Sequence, residues 1–294
     1  MRTLRFFKRT LGTVVLISDI VKKGFFRSQI EGGHKGVCVV LVNGPSLKEV
    51  LPRVGSDDEF NVDDFVVVNY IADSDVFHKI KPKHYCFADP MFFESTFMDE
   101  AVKRTFAELE KVDWPMTIYI PKHRERQFQK FAGLKNPNLR IAKLNYTHTW
   151  TFDKIRFWAY KRGYAMPPAQ NVSIFAIYVA LNLGYKEVHV YGVDHTFFDS
   201  MCVNEDNVLC NRYRHFYDSE PELKPIRNTD AQGLVYKVSD YIFMIGSMFK
   251  SHDMLEEYAE NIGATIINYT RGSLIDSYTR ISQIEKQLSN TGDA

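Results

Sequence analysis

The sequence predicts an α/β protein built on a doubly wound, mostly parallel sheet. Three features carry that expectation. Short runs apolar on both faces, such as residues 37–42 and 65–70, have the pattern of strands buried between two helical layers. They alternate with segments of helical periodicity, the order of a parallel sheet with crossover helices. Polar residues close the runs: Asn43, Asn69, Asp89 and Asp194 fall at predicted strand ends, where such sheets bind ligands.

The elements follow in chain order. Residues 1–30 form a basic amphipathic segment. Within 1–27, Arg2, Arg5, Lys8, Arg9, Lys22, Lys23 and Arg27 meet only Asp19, a local +6 in a chain of net charge +1, so the other residues sum to −5. The apolar stretch 11–17 is too short for a bilayer, which needs about 20 residues. It lacks a small-residue cleavage site and runs into Asp19, so it does not read as a signal peptide. Phe6, Phe7, Leu11, Val14, Val15 and Ile17 give it apolar surface. Two readings stay open: a helix lying on an anionic membrane surface, or a helix packed on the domain with its basic face in water.

Residues 31–294 read as one nucleotide-binding domain. The run 37–42 leads into Asn43-Gly-Pro-Ser46, a turn opening a helix with Ser46 as N-cap and Glu49 as capping-box partner. Strands follow at 65–70, at 84–88 before Asp89-Pro90, and at 116–120 before Pro121, with helices over 95–111 and 122–132. Residues 172–183 are apolar almost throughout and read as a buried helix ended by Gly184. A strand over 187–191 leads to Gly192-Val-Asp194. Residues 199–227 are polar, aromatic and irregular, too long for a routine connection, and read as a lid. Helices over 230–250 and 254–262 and a strand at 264–268 complete the domain.

Composition narrows the function. Charged residues are 25% and hydrophobic residues 45% of the 294, which excludes disordered, collagen-like and coiled-coil chains. Near-neutral charge argues against a nucleic-acid partner. Cys38, Cys86, Cys202 and Cys210 form no C-x-x-C pair, so reduced thiols in a cytoplasmic protein are expected. A Cys202–Cys210 disulfide stays open. At the turn, Gly44 permits close backbone approach and the helix start offers unpaired N–H groups. A phosphate site and a tight structural turn both fit it.

Four segments together resemble the bacterial sialyltransferases of glycosyltransferase family 42 and the related 6-hydroxymethylpterin diphosphokinase-like domains found in flagellin-glycosylating proteins. They are Asn43-Gly-Pro-Ser-Leu47, Ala180-Leu-Asn-Leu-Gly-Tyr-Lys-Glu-Val-His-Val-Tyr-Gly-Val-Asp194, Asn228-Thr-Asp230 and Phe87-Ala-Asp-Pro-Met-Phe-Phe93. The match is colinear over residues 36–275. It implies a Rossmann-like, modified GT-A-type fold and a metal-independent, inverting transferase using a CMP-sugar as donor substrate, with no cofactor. Asn43, Gly44, Ser46 and Asn69 would line the nucleotide and phosphate site. Asp89 would stand where the family has Asn, and Gly192 and Asp194 would lie near the ribose. Where the family has Arg-x-Thr-Ser-Gly, this chain has Ala169-Gln-Asn-Val-Ser173, leaving Asn171 and Ser173 as polar candidates.

The resemblance breaks at the catalytic base. The family's His three residues before Asn-Thr-Asp is Pro225 here. An acceptor hydroxyl needs a base of near-neutral pKa, and His suits. The nearest is His215, in Tyr213-Arg-His-Phe-Tyr-Asp218, with Tyr213, Arg214 and Tyr217 as donors to the leaving phosphate. His195 is the second candidate. Asp73-Ser-Asp75 has the D-x-D pattern that holds Mg²⁺ or Mn²⁺ in many sugar-nucleotide enzymes, and also the composition of a plain turn.

The expected activity is glycosyl transfer, with a sialic-acid-like nonulosonate as the donor sugar and a cell-surface glycan or lipid-linked oligosaccharide as acceptor. It is placed in the cytoplasm, with peripheral contact at the inner face of the membrane. A homo-oligomer is compatible with the sequence. The rivals are an ATP/Mg-dependent pterin pyrophosphokinase and a non-catalytic nucleotide-sugar or glycan-binding protein.

Overall fold

The computed structural model describes residues 2–94, 99–213, 222–228 and 233–285. Its centre is an eight-stranded parallel sheet. In chain order the elements are α1 (Arg2–Lys22), β1 (Val37–Leu41), α2 (Leu47–Val50), β2 (Asp64–Val68), α3 (Asp75–Ile80), β3 (His84–Cys86), α4 (Glu100–Glu110), β4 (Met116–Pro121), α5 (Glu125–Ala132), β5 (Leu139–Leu144), α6 (Asp153–Lys161), α7 (Val172–Leu183) and β6 (Glu187–Tyr191). Then come α8 (Phe197–Ser200), β7 (Met201–Val203), β8 (Leu209–Tyr213), β9 (Glu222–Pro225), β10 (Arg227–Asn228), β11 (Leu234–Val235), α9 (Val238–Ile262), β12 (Thr265–Asn268) and β13 (Thr279–Arg280).

Strand order is β13-β12-β6-β1-β2-β3-β4-β5. The chain walks from β1 outward to β5, returns to the other side of β1 as β6, and continues to β12 and β13. The direction of winding therefore reverses between β1 and β6, the switch point of a doubly wound sheet. Alternation along each strand sends Cys38 and Val40 to one face and Val39 and Leu41 to the other. The first face packs on α7 and α9, the second on α3, α4 and α5. Helix α7 is apolar all round because it lies inside the first layer: eleven of its twelve residues are buried.

Several expectations are corrected. The helix after Asn43-Gly-Pro-Ser46 is only four residues long, and Ser46 makes no side-chain cap. Its hydroxyl is taken by Asp194, 2.9 Å away. The 199–227 segment is not irregular: its described part folds as α8 and an antiparallel sheet of β7, β8 and β9. The two helices expected over 230–262 are the single α9, beginning at Val238. Ser251 does not break it, because its hydroxyl donates back to the Ser247 carbonyl at 3.0 Å. Asn228, expected to open that helix, pairs instead across β10–β11, and Thr229 and Asp230 lie outside the described residues. Strand β5 and helix α6 were not expected. All four cysteines are free thiols, although Cys202 and Cys210 face each other across β7–β8.

Helix α1 rests on the domain through Leu16 and Ile20, which join the first core layer. Its glycine explains the close approach. A Cβ on Gly12 would sit 2.1 Å from the Trp150 carbonyl oxygen, so only glycine lets the helix meet the 149–151 loop.

Candidate active site

The sequence-selected residues fall into two groups at the carboxyl edge of the sheet. The first lies at the switch point, where the 43–46 turn and the 192–194 segment interlock. The Gly44 amide donates to the Gly192 carbonyl at 2.8 Å. Asp194 accepts from the Ser46 amide at 3.1 Å and from its hydroxyl. A Cβ on Gly44 would lie 1.9 Å from Asp194 Oδ2, and one on Gly192 would lie 1.9 Å from the Val42 carbonyl oxygen. The glycines are thus required by contact between the two loops, and the Asp194 carboxylate is engaged within the protein. Asn43 is exposed beside this clasp, whereas Ser46 and Gly192 reach the wall of a cleft of about 410 Å³ that includes Tyr269 and Arg271.

The second group surrounds a cleft of about 310 Å³ where β3, β4 and β5 end. Each wall is a strand-end loop: Asp89 follows β3, His123 and Arg124 follow β4, and Tyr146 and His148 follow β5. The fourth wall is residues 168–171, leading into α7. Asn171 caps that helix by accepting from the Ile174 amide at 3.3 Å. The positive end of a twelve-residue helix therefore adjoins the cleft. Ser173 stands behind Asn171 and donates to its Oδ1 at 2.7 Å.

Asp89 is the carboxylate of this cleft. Burial pushes its pKa above the ordinary carboxylate range, and the Asn69 amide that donates to it opposes the shift. Asn69 itself adopts a left-handed backbone, φ 48°, at the end of β2. Asn tolerates that region better than most residues. Tyr85 locks the conformation by donating its hydroxyl to the Asn69 carbonyl. The remaining side-chain oxygen, Asn69 Oδ1, is buried without a hydrogen-bond partner among the described residues. A buried unpaired acceptor is costly.

The cationic wall was missed by sequence reasoning. Arg124 pairs with Glu94 through one guanidinium nitrogen at 2.6 Å, leaving its other N–H donors for further partners. His148 is held neutral chiefly by burial, with Lys23 and His123 adding to the downward shift. The strand-end rule applied to β4 would have pointed to residues 122–124, but His148 follows β5, a strand the sequence did not show.

His195 lies behind the cleft rather than on its wall. It has φ 54°, and burial lowers its pKa to about 4. Its Nε2 lies 2.9 Å from Asn171 Nδ2 and 3.1 Å from His252 Nε2. His252 Nδ1 is 2.7 Å from the Tyr278 hydroxyl. In one assignment Tyr278 donates to His252 Nδ1, and the His252 N–H and the Asn171 amide share the single Nε2 lone pair of a neutral His195. The accepting nitrogen of His195 is therefore already in use.

Arg214, His215 and Tyr217 lie outside the described residues. Tyr213 ends β8, and only its backbone is described. Asp73 accepts from Thr105 at 3.0 Å and faces Arg104 at 3.6 Å, and it shares with Asp75 a separate small cleft. Among the described residues no group of three or more His, Cys, Asp and Glu side chains is arranged to hold a metal ion.

No family model matches the chain, and no curated protein matches it. Among solved structures it is similar to the MAf glycosyltransferase from Magnetospirillum magneticum AMB-1, at a TM-score of 0.44 and 14% identity. The likeness covers 88% of this chain, which spans 35% of the length of that protein.

Proposed function

We propose that the protein is a glycosyltransferase that moves a sugar from a nucleotide-activated donor to a glycan hydroxyl in the β3–β5 cleft. One observation carries the reading: a single cleft is lined by a proton-accepting carboxylate, Asp89, and by the anion-binding groups Arg124, His123 and the N-terminal end of α7. In a single displacement the acceptor oxygen attacks the anomeric carbon while the bond from that carbon to the donor phosphate breaks. The hydroxyl proton passes to Asp89, and the phosphate leaves with the bonding pair. Arg124, His123 and the helix end stabilise the charge that develops on it.

The raised pKa of Asp89 brings the base toward the working pH, as general-base catalysis favours. This assigns to Asp89 the role that the sequence alone gave to His215 or His195. The CMP-linked nonulosonate donor, inversion at the anomeric carbon, and metal independence rest on the motif resemblance at 43–47 and 180–194. A lipid-linked oligosaccharide as acceptor is part of the same proposal.

Thermal shifts with CMP, CDP, UDP, GDP and ATP, each with and without EDTA, test the donor class. A nucleotide at a hundredfold excess over its Kd raises apparent stability by about 2.7 kcal/mol. The expected result is stabilisation by cytidine nucleotides that EDTA leaves intact. Stabilisation by ATP with Mg²⁺ alone would overturn the reading in favour of a pyrophosphokinase.

A further inference from the structure

Helix α1 is docked by the wrong face for a helix in water. Leu16 is 1% exposed against the domain, but Phe7 and Leu11 are each 65% and Val14 58% exposed. Leu4, Phe7, Leu11, Val14 and Val21 share one stripe by their spacing, opposite Leu16 and Ile20. The stripe runs the length of the helix and nothing in the chain's described residues covers it. The sequence announced apolar surface here, and the structure shows that the domain consumes only a small part of it.

We infer that this stripe is a docking face for an anionic lipid bilayer. Charge decides the occupant. Lys8 and Lys22 lie along one side of the stripe, and neither has an ion-pair partner among the described residues, whereas Arg5 falls on the docked side, in a cleft with Glu257 and Glu260. The single acid of the helix, Asp19, is held by Lys23 at 3.4 Å. A second copy packed face to face would bring Lys8 and Lys22 of both chains together without a compensating acid. A layer of anionic headgroups satisfies the lysines while the acyl boundary takes the apolar stripe. Exposed Trp150, on the loop that abuts Gly12, adds an interfacial side chain beside the helix.

The turn that follows the helix touches the rim of the cleft. Lys23 donates to Thr147, between Tyr146 and His148, and Lys122 Nζ lies 3.6 Å from the centre of the Phe26 ring. A bilayer bound to α1 would hold the cleft near the headgroups. That consequence for the acceptor rests on the transfer reading, whereas vesicle binding does not.

The test is co-sedimentation of the full chain with phosphatidylcholine vesicles, with and without about 30% phosphatidylglycerol. The expected result is binding to the anionic vesicles that exceeds binding to neutral ones by about tenfold and weakens between roughly 0.1 and 0.5 M salt. A Leu11→Glu/Val14→Glu variant with an unchanged melting temperature should lose that binding. Should it fail to fold, Lys8→Glu/Lys22→Glu, which alters only exposed charge, should lose it instead. Wild-type protein left in the supernatant, or a folded variant that sediments like the wild type, would overturn the inference. So would a wild-type dimer in light scattering that the variant converts to monomer, since a second copy would then own the face.

Discussion

At the level of single residues, the sequence chose Asn69 and Asp89 as ligand-holding groups because both sit at strand ends. The structure brings them into contact and gives the pair a direction: Asn69 donates, and the half-buried Asp89 accepts. A carboxyl whose folded pKa is raised makes the fold more stable when it is protonated, and that stability is lost as pH rises through the raised value. Asp89→Asn is neutral at every pH. It should therefore raise the melting temperature at pH 8, a gain that shrinks as the pH is lowered toward the ordinary carboxylate range. The same variant should lose about 10²- to 10⁴-fold in turnover. Calorimetry and donor-turnover assays on one preparation would show both. Activity of the wild type should fall as pH drops through the raised pKa, because the base works ionised.

His195 gives a prediction of opposite sign. Its pKa moves from 6.5 down to about 4 on folding, mainly through burial. The contribution is present above 6.5 and is lost as pH falls from 6.5 toward about 4, where the unfolded chain binds the proton and the folded chain does not. Urea melts across that window should show declining stability, and His195→Gln should flatten the decline. An unchanged slope in the variant would assign the pH dependence to other groups.

At the level of elements, two loops that the sequence treated as ligand sites are also each other's partners. Ser46→Ala removes the hydroxyl bond to Asp194 and should cost about 1 kcal/mol of unfolding free energy in urea titrations. Helix α1 offers a sharper case. Replacing an exposed helical glycine by alanine normally stabilises by about 1 kcal/mol. Gly12→Ala should instead destabilise, because the new methyl would meet the Trp150 carbonyl at 2.1 Å. Faster cleavage after α1 residues in limited proteolysis, with the domain intact, would report undocking.

Element boundaries were legible where burial wrote them into the chain. Strands β1, β2, β4 and β6 are buried at nearly every position, and α7 is apolar all round. Strand β5 was not legible, because it lies at the sheet edge and carries Arg140 and Lys143 among its apolar residues. The division of α9 into two helices failed at Ser251-His252-Asp253, a polar trio that looks like a break. In the fold Ser251 and His252 are buried, His252 against Tyr278.

For the whole molecule, the topology explains why half of the site was readable. Ligands of doubly wound sheets gather at the carboxyl ends of strands, so Asp89 could be found by position, whereas Asn171 came from the motif resemblance at 169–173. The cationic wall could not be recognised as such, since His123 and Arg124 lie in a run of charges that reads as a solvated helix start. The charge asymmetry of the first 27 residues also acquires a geometry. The bases sit on and beside a helix whose apolar stripe faces outward, next to the cleft. No helix among the described residues is long and apolar enough to cross a membrane.

The central claim is that the β3–β5 cleft holds the donor. A crystal structure of the protein soaked with CMP tests it most directly. The account predicts the phosphate against Arg124 and the N-terminal end of α7, with Asp89 facing the open side where the sugar would lie. Nucleotide bound instead at the Ser46–Gly192–Arg271 cleft, with the β3–β5 cleft empty at saturating CMP, would contradict it.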